Sequence, residues 1–99
     1  MNSQFGIKIR ILREEQNMLL RQIAPLLDMD TAQLSKIERG ERNAKREHVK
    51  PLARLFKVDY NELLSLWLAD QVFQLISNEE QALQALKIAE KELIKCNKK

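Results

Sequence analysis

The chain has almost none of the residues that build turns. Its 99 residues include 2 glycines and 2 prolines, where an average chain of that length carries about 7 and about 5. Hairpins and sandwiches need such residues, which excludes an all-β fold. A single cysteine, Cys96, leaves no internal disulfide and no cysteine metal site. A single histidine, His48, leaves no multi-histidine metal site. No metal, cofactor or small-molecule ligand is therefore expected. With one His and one Cys there is no Ser/His/Asp or Cys/His arrangement. The carboxylate pairs Glu14–Glu15 and Glu79–Glu80 are adjacent in sequence and point apart on a helix. The chain is expected not to be an enzyme. No apolar run reaches the about 18 residues of a membrane span, and the opening MNSQFGIKIR lacks the apolar stretch of a secretory signal. These absences lead us to expect a cytoplasmic protein with no membrane partner.

What is present is helix-forming. Leu, Ile, Ala, Glu, Lys, Gln and Arg dominate, and 44% apolar with 31% charged residues fits a globular chain. The length suits one domain, or one domain with an appendage, around a modest core. The net charge of +3 is uneven. Residues 1–60 carry 12 Lys/Arg against 8 Asp/Glu, and residues 61–99 carry 5 against 6. Residues 36–57 alone hold 8 basic and 3 acidic side chains. A basic segment inside a folded half, beside a near-neutral remainder, is the electrostatic footprint of a phosphate-binding surface.

Periodicity and capping residues predict six helices. The first starts at Ser3 as N-cap and runs to about Gln16, with Phe5, Ile9 and Leu12 on one face and Ile7 and Ile11 nearly opposite. The second face calls for the C-terminal helices or a partner chain, and Gly6 permits a close helix approach. A short helix spans about Leu20 to Leu27. Asp28-Met29-Asp30 then connects it to a third from Thr31 to about Arg39, with Asp28 suited to a left-handed conformation, Asp30 as N-cap and Gly40 as terminator. A basic loop precedes a fourth helix from about Arg46 to Phe56. Pro25 and Pro51 conflict with these bounds, because proline inside a helix removes a hydrogen bond. Asp59 and Glu62 open a fifth helix to about Ile76 that is apolar nearly all round, so it is expected to be buried on more than one side. Ser77 and Glu80 repeat that capping signature for a sixth, to about Lys95, with Ala82, Leu86, Ala89 and Leu93 as a heptad-like seam.

Two short helices joined by a three-residue turn, with the small Ala24 where the second crosses the first, describe a helix-turn-helix. At these residues the chain resembles the lambda-repressor-like (XRE/Cro-type) helix-turn-helix family. LREEQNMLLRQIAPLLDMDTAQLSKIERGER, followed by VKPLARLFKVDYNELL, carries the resemblance, and LSKIERGER is its most specific piece. It implies an all-α fold: a five-helix DNA-binding domain, here with an additional C-terminal helix. Residues 1–60 are read as the DNA-binding domain and 61–99 as C-terminal helices for dimerisation.

The recognition helix of such a motif presents base-contacting residues to the major groove. These are Thr31, Ala32, Gln33 and Lys36, with Lys36 suited to guanine, Gln33 to adenine, and Ala32 or the Thr31 methyl to thymine. Arg39, Arg42, Lys45 and Arg46 lie just beyond and are expected at phosphates. The resemblance further implies a structural ion pair between Arg13 and Glu38. It also exposes a departure. Where the family commonly opens its first motif helix with Ser or Thr followed by Gln, this chain has Leu19 and Leu20, so Arg21 or Gln22 is assigned the phosphate contact. The expected partners are double-stranded DNA and a second copy, paired through Leu66, Trp67, Val72, Phe73, Ile76, Leu86 and Leu93. The expected function is that of a homodimeric transcriptional regulator on a palindromic operator, bacterial and nucleoid-associated, such as a restriction-modification controller or a phage-type repressor. The competing reading is a protein-interaction module, antitoxin-like or an adaptor, that uses the apolar C-terminal helices.

Overall fold

The structure, a computed structural model, describes residues 3–97. Among these residues there are six α-helices and no strand: α1 Gln4–Glu15, α2 Leu20–Ile23, α3 Thr31–Glu38, α4 Val49–Phe56, α5 Tyr60–Ile76 and α6 Ala82–Asn97. The fold is all-α, as the sequence predicts.

The core is built where the apolar periodicity requires. Phe5, Ile9 and Leu12 of α1 meet Ile23 and Leu27, Leu34 and Ile37 of α3, Val49, Leu52 and Phe56 of α4, and Leu63 of α5. Each such side chain contributes roughly 1.5 to 3 kcal/mol when fully buried. Ile7 and Ile11 stay 38% and 45% exposed and line a groove of about 540 Å³ against Val58, Leu63 and Leu66.

The N-terminus of α1 is capped twice. Ser3 Oγ accepts from the Gly6 amide at 2.8 Å. The buried Asp70 carboxylate, from the middle of α5, accepts from Ser3 Oγ at 2.6 Å and from the Gln4 and Phe5 amides at 2.9 and 3.0 Å. These contacts satisfy donors that a helix start leaves orphaned, and they place a negative charge on the positive end of its dipole. They also tie α5 into the same body as α1. In packing terms the body therefore extends through Asp70, past the division at residue 60 suggested by the sequence.

Both prolines are accommodated by shorter helices than the sequence suggests. After one turn α2 tightens into a 3₁₀ turn, Ala24–Leu27, with Pro25 near its start. Residues 46–48 form another 3₁₀ turn, and α4 begins at Val49 rather than Arg46. Pro51 thus falls in the first turn of α4, where an amide would have no intrahelical acceptor.

Two further expectations are corrected. Ser77 does not open α6. It closes α5, donating its amide to the Phe73 carbonyl at 2.8 Å, and α6 starts at Ala82. Nor is α5 buried on several sides within the chain. Only Leu63 and Asp70 are fully buried, while Val72, Phe73 and Leu75 are 43%, 55% and 79% exposed. Its second half runs off the core, and α6 has no buried residue. The radius of gyration, 15.3 Å, exceeds the about 13 Å of a compact 100-residue domain, as a projecting helix requires.

Candidate nucleic-acid interface

The motif is assembled by backbone chemistry readable in its residues. Asp28 takes the left-handed conformation (φ 53°, ψ 42°) that turns the chain after Leu27. Its amide bonds back to the Pro25 carbonyl, and that of Met29 to Ala24. Asp30 Oδ1 accepts from the Gln33 amide at 2.8 Å and caps α3. At the other end Gly40 (φ 76°) closes the helix, its amide bonding to Ile37 and that of Glu41 to Lys36.

The recognition helix is locked against α1. A Cβ on Gly6 would run into the Ile37 carbonyl oxygen and lie 2.9 Å from that of Glu38, so only glycine lets α1 and α3 approach this closely. Beside that contact, Arg13 donates from Nε to Glu38 Oε2 at 2.8 Å and from a terminal nitrogen to Oε1 at 3.0 Å. Its other terminal nitrogen donates to the Met18 carbonyl at 3.1 Å. The two side chains are only 14% and 4% exposed. A bidentate pair with its spare donor satisfied is the arrangement in which two buried charges offset their desolvation. The Glu38 hydrogen bond raises the Arg13 pKa further above its ordinary value.

With Leu34, Ile37 and Glu38 turned inward, the 100° helical step sends Ala32, Lys36 and Arg39 to the opposite side. Gln33 lies on the flank, half-buried against the loop that follows, and Thr31 is exposed at the first turn. The base-contact candidates thus divide into Ala32 and Lys36 at the centre and Thr31 and Gln33 at the edges.

The phosphate candidates are less uniform than their charge suggests. Arg42, Lys45, Arg46 and Arg21 are exposed. Arg39 is engaged: its guanidinium donates to Glu41 at 2.6 and 3.4 Å and to Ser35 Oγ at 2.6 Å. That contact raises the Arg39 pKa and holds the Glu41 carboxyl below its ordinary value. Gln22 Oε1 accepts from the Leu19 amide at 2.7 Å, which supplies half a capping box although Leu19 has no polar group to complete it. Leu19 itself is 48% exposed, while Leu20 packs against the core.

The sequence reading misses how the basic loop is held. Trp67 Nε1 donates to the Ala44 carbonyl at 2.8 Å, so this half-buried indole makes a polar contact within the chain. Two turns further along α5, Gln74 and Asn43 exchange hydrogen bonds at 2.9 and 2.7 Å. At the loop's end His48 Nδ1 accepts from the Lys45 amide at 3.1 Å. Desolvation lowers the His48 pKa, the carboxylate of Glu47 opposing it. Of the remaining residues assigned to pairing, Leu66 and Ile76 are half-buried and Val72, Phe73, Leu86 and Leu93 are exposed. Cys96 is exposed in the last turn of α6. Among the described residues no group of three or more His, Cys, Asp or Glu could hold a metal ion, and no helix is long and apolar enough to cross a membrane.

Comparison with known proteins agrees with this geometry. The chain is 36% identical over 61 residues to the HTH-type transcriptional repressor RghR of Bacillus subtilis, covering 61% of this chain and 45% of that protein. It is equally identical over 64 residues, 64% of this chain and 46% of the other, to the uncharacterized HTH-type transcriptional regulator RghRB of the same organism. It spans less than half the length of these relatives. No solved structure matches it significantly. The helix-turn-helix family profile matches residues 9–63, more than half of the chain, from the middle of α1 to the start of α5, and on that match and this fold the chain belongs to the lambda-repressor-like helix-turn-helix family of DNA-binding regulators.

Proposed function

We propose that this chain binds double-stranded DNA as a homodimer and regulates transcription, with α3 in the major groove of each half of a pseudo-palindromic operator. The observation that carries the reading is the outward face of α3. Ala32 and Lys36 stand free there while the opposite face is fixed by Gly6 and the Arg13–Glu38 pair. A rigid helix with a short apolar side chain beside a long cation suits reading a thymine methyl next to a guanine. Arg21, Gln22, Arg42, Lys45 and Arg46 surround it as phosphate contacts, which set register without reading sequence, and Arg39 joins them when its guanidinium leaves Glu41.

The other end of the chain supports pairing. One recognition helix reaches too few base pairs for useful specificity. A 16-residue helix without packing is marginal in water, yet α6 buries nothing. Val72, Phe73, Leu86 and Leu93 are the apolar surface a second copy would cover, with half-sites then about 34 Å apart. The name of the first relative supports repression as the direction of control. Service as a restriction-modification controller and service as a phage-type repressor are two settings within this reading, and neighbouring genes decide between them.

The test is selection from a random DNA pool, followed by titration of the selected site against salt and measurement of mass in solution. The expected result is a two-fold-symmetric site, affinity that falls steeply with salt, and a dimer at micromolar concentration. The exposed α6 specifically favours a second reading, a protein-interaction module. Absent or salt-independent DNA binding would select it.

A further inference from the structure

The loop between α3 and α4 carries Arg42 and Lys45 and has no regular structure from residue 41 to residue 45. It is nevertheless fixed at two consecutive residues, both times by α5. Ala44 is buried at 7% exposure, and its carbonyl takes the Trp67 indole N–H at 2.8 Å. Asn43 and Gln74 form a closed amide pair, each donating to the other. Trp67 and Gln74 are seven residues apart, two turns along one face of the helix. Beyond Gln74 the loop and the α5–α6 connection share a hollow of about 280 Å³ lined by Gly40, Glu41, Arg42, Asn43, Gln74, Ser77 and Asn78.

We infer that Trp67 and Gln74 are positioning residues for the phosphate-contacting loop. They touch no DNA themselves and set where Arg42 and Lys45 stand. The inference rests on the DNA-binding reading above. It gives the apolar end of α5 a second role. The helix surface that would pair two chains lies on the same element as the clamp on the basic loop.

Gln74→Ala tests this, since the residue is exposed and its loss leaves the core intact. Wild type and variant are titrated with the selected DNA site over a range of salt. The Trp67 indole N–H, the single tryptophan of the chain, is followed by NMR for its exchange with water. The expected variant has an unchanged melting temperature and base preference, with affinity about three- to tenfold weaker. Its salt slope is shallower by about one, and its indole exchanges faster. The swap Asn43→Gln with Gln74→Asn keeps both amides and their summed reach, and it should restore all three. Wild-type affinity and slope in Gln74→Ala would overturn the inference while leaving DNA binding in place. Weaker affinity with unchanged indole exchange would also overturn it, because Gln74 would then be touching DNA directly. Absence of salt-sensitive binding by the wild type would remove the DNA-binding reading and this inference with it.

Discussion

Both ends of this chain are rich in apolar side chains and use them in opposite ways. From Phe5 to Leu63 the large apolar residues at helical spacing mostly point at one another, and seven side chains are almost completely buried. From Val72 to Ile94 the same residue types stand in solvent, with Leu75, Leu83 and Leu93 at 79%, 75% and 63% exposure. Periodicity says that a helix has an apolar face, but it does not say whether the covering surface belongs to the same chain. Polar chemistry marks the difference instead. Arg13–Glu38, Asp70 with the α1 terminus, and Trp67 with Ala44 each join distant segments, and α6 has no such tie among the described residues. The one ion pair it makes among the described residues, Lys95–Glu92, is internal and exposed.

The sharpest way to break the contrast is to remove a buried partner at one end and an apolar side chain at the other. Arg13→Ala leaves the Glu38 carboxylate buried and unpaired, at an expected loss of about 3 kcal/mol in unfolding free energy, measured by urea denaturation. Leu93→Lys should change the unfolding of the dilute, unpaired chain by less than about 0.5 kcal/mol. A large loss from Leu93→Lys in dilute solution would mean that α6 packs on its own chain.

The apolar end is tested next by its effect on pairing. Phe73→Glu is expected to weaken self-association by about 2 kcal/mol, some thirtyfold, and to make operator binding depend more steeply on protein concentration. Sedimentation reads the first and a mobility-shift titration the second. Dimers of undiminished stability would move the pairing surface elsewhere, with the groove of Ile7, Ile11 and Leu66 as the next surface to mutate.

What was legible in the sequence divides along the same line. Asp30 capping α3, Gly40 ending it and Asp28 in the left-handed turn are local, and each follows from one residue's own conformational preference. The start of α6 was misplaced because Ser77 with Glu80 carries a capping signature that the chain satisfies otherwise, with Ser77 ending the longer α5. The bonds of Asp70 to residues 3–5 and of Gln74 to Asn43 span 65 to 67 and 31 residues. No periodicity encodes a polar contact over that distance. The basic loop was visible as charge, but its support was invisible because that support lies on another helix.

Within the end proposed to face DNA, the assigned contacts are expected to sort by what they read. Lys36→Ala should cost about 1 to 3 kcal/mol at one base position and flatten preference there. Arg42→Ala should weaken all sequences alike and lower the salt slope by about one. Selection profiles of the two variants measure both, and exchanged outcomes would reverse the assignments. Glu41→Gln should act more gently and in the opposite direction. Arg39 now spends its guanidinium on Glu41 and Ser35. Neutralising the carboxylate frees it for phosphate and steepens the salt slope by up to about one.

The smallest expected effect is a pH dependence inside the first end, where the basic loop enters α4. His48 Nδ1 accepts from the Lys45 amide, so the ring must be neutral there, and partial burial lowers its pKa from 6.5. Above about pH 6.5 both the folded and the unfolded chain hold a neutral ring, and the contribution to stability is complete. As pH falls below that value the unfolded chain takes up a proton before the folded one does, so stability declines until the folded pKa is passed. His48→Asn retains an acceptor near the Nδ1 position and cannot titrate in this range. Melting temperatures of wild type and variant should therefore run parallel from pH 8 to about 7 and diverge below about 6.5, the wild type falling faster. A wild type that gained stability on acidification relative to His48→Asn would show instead that the imidazolium is the favoured form and that the Lys45 amide has another acceptor.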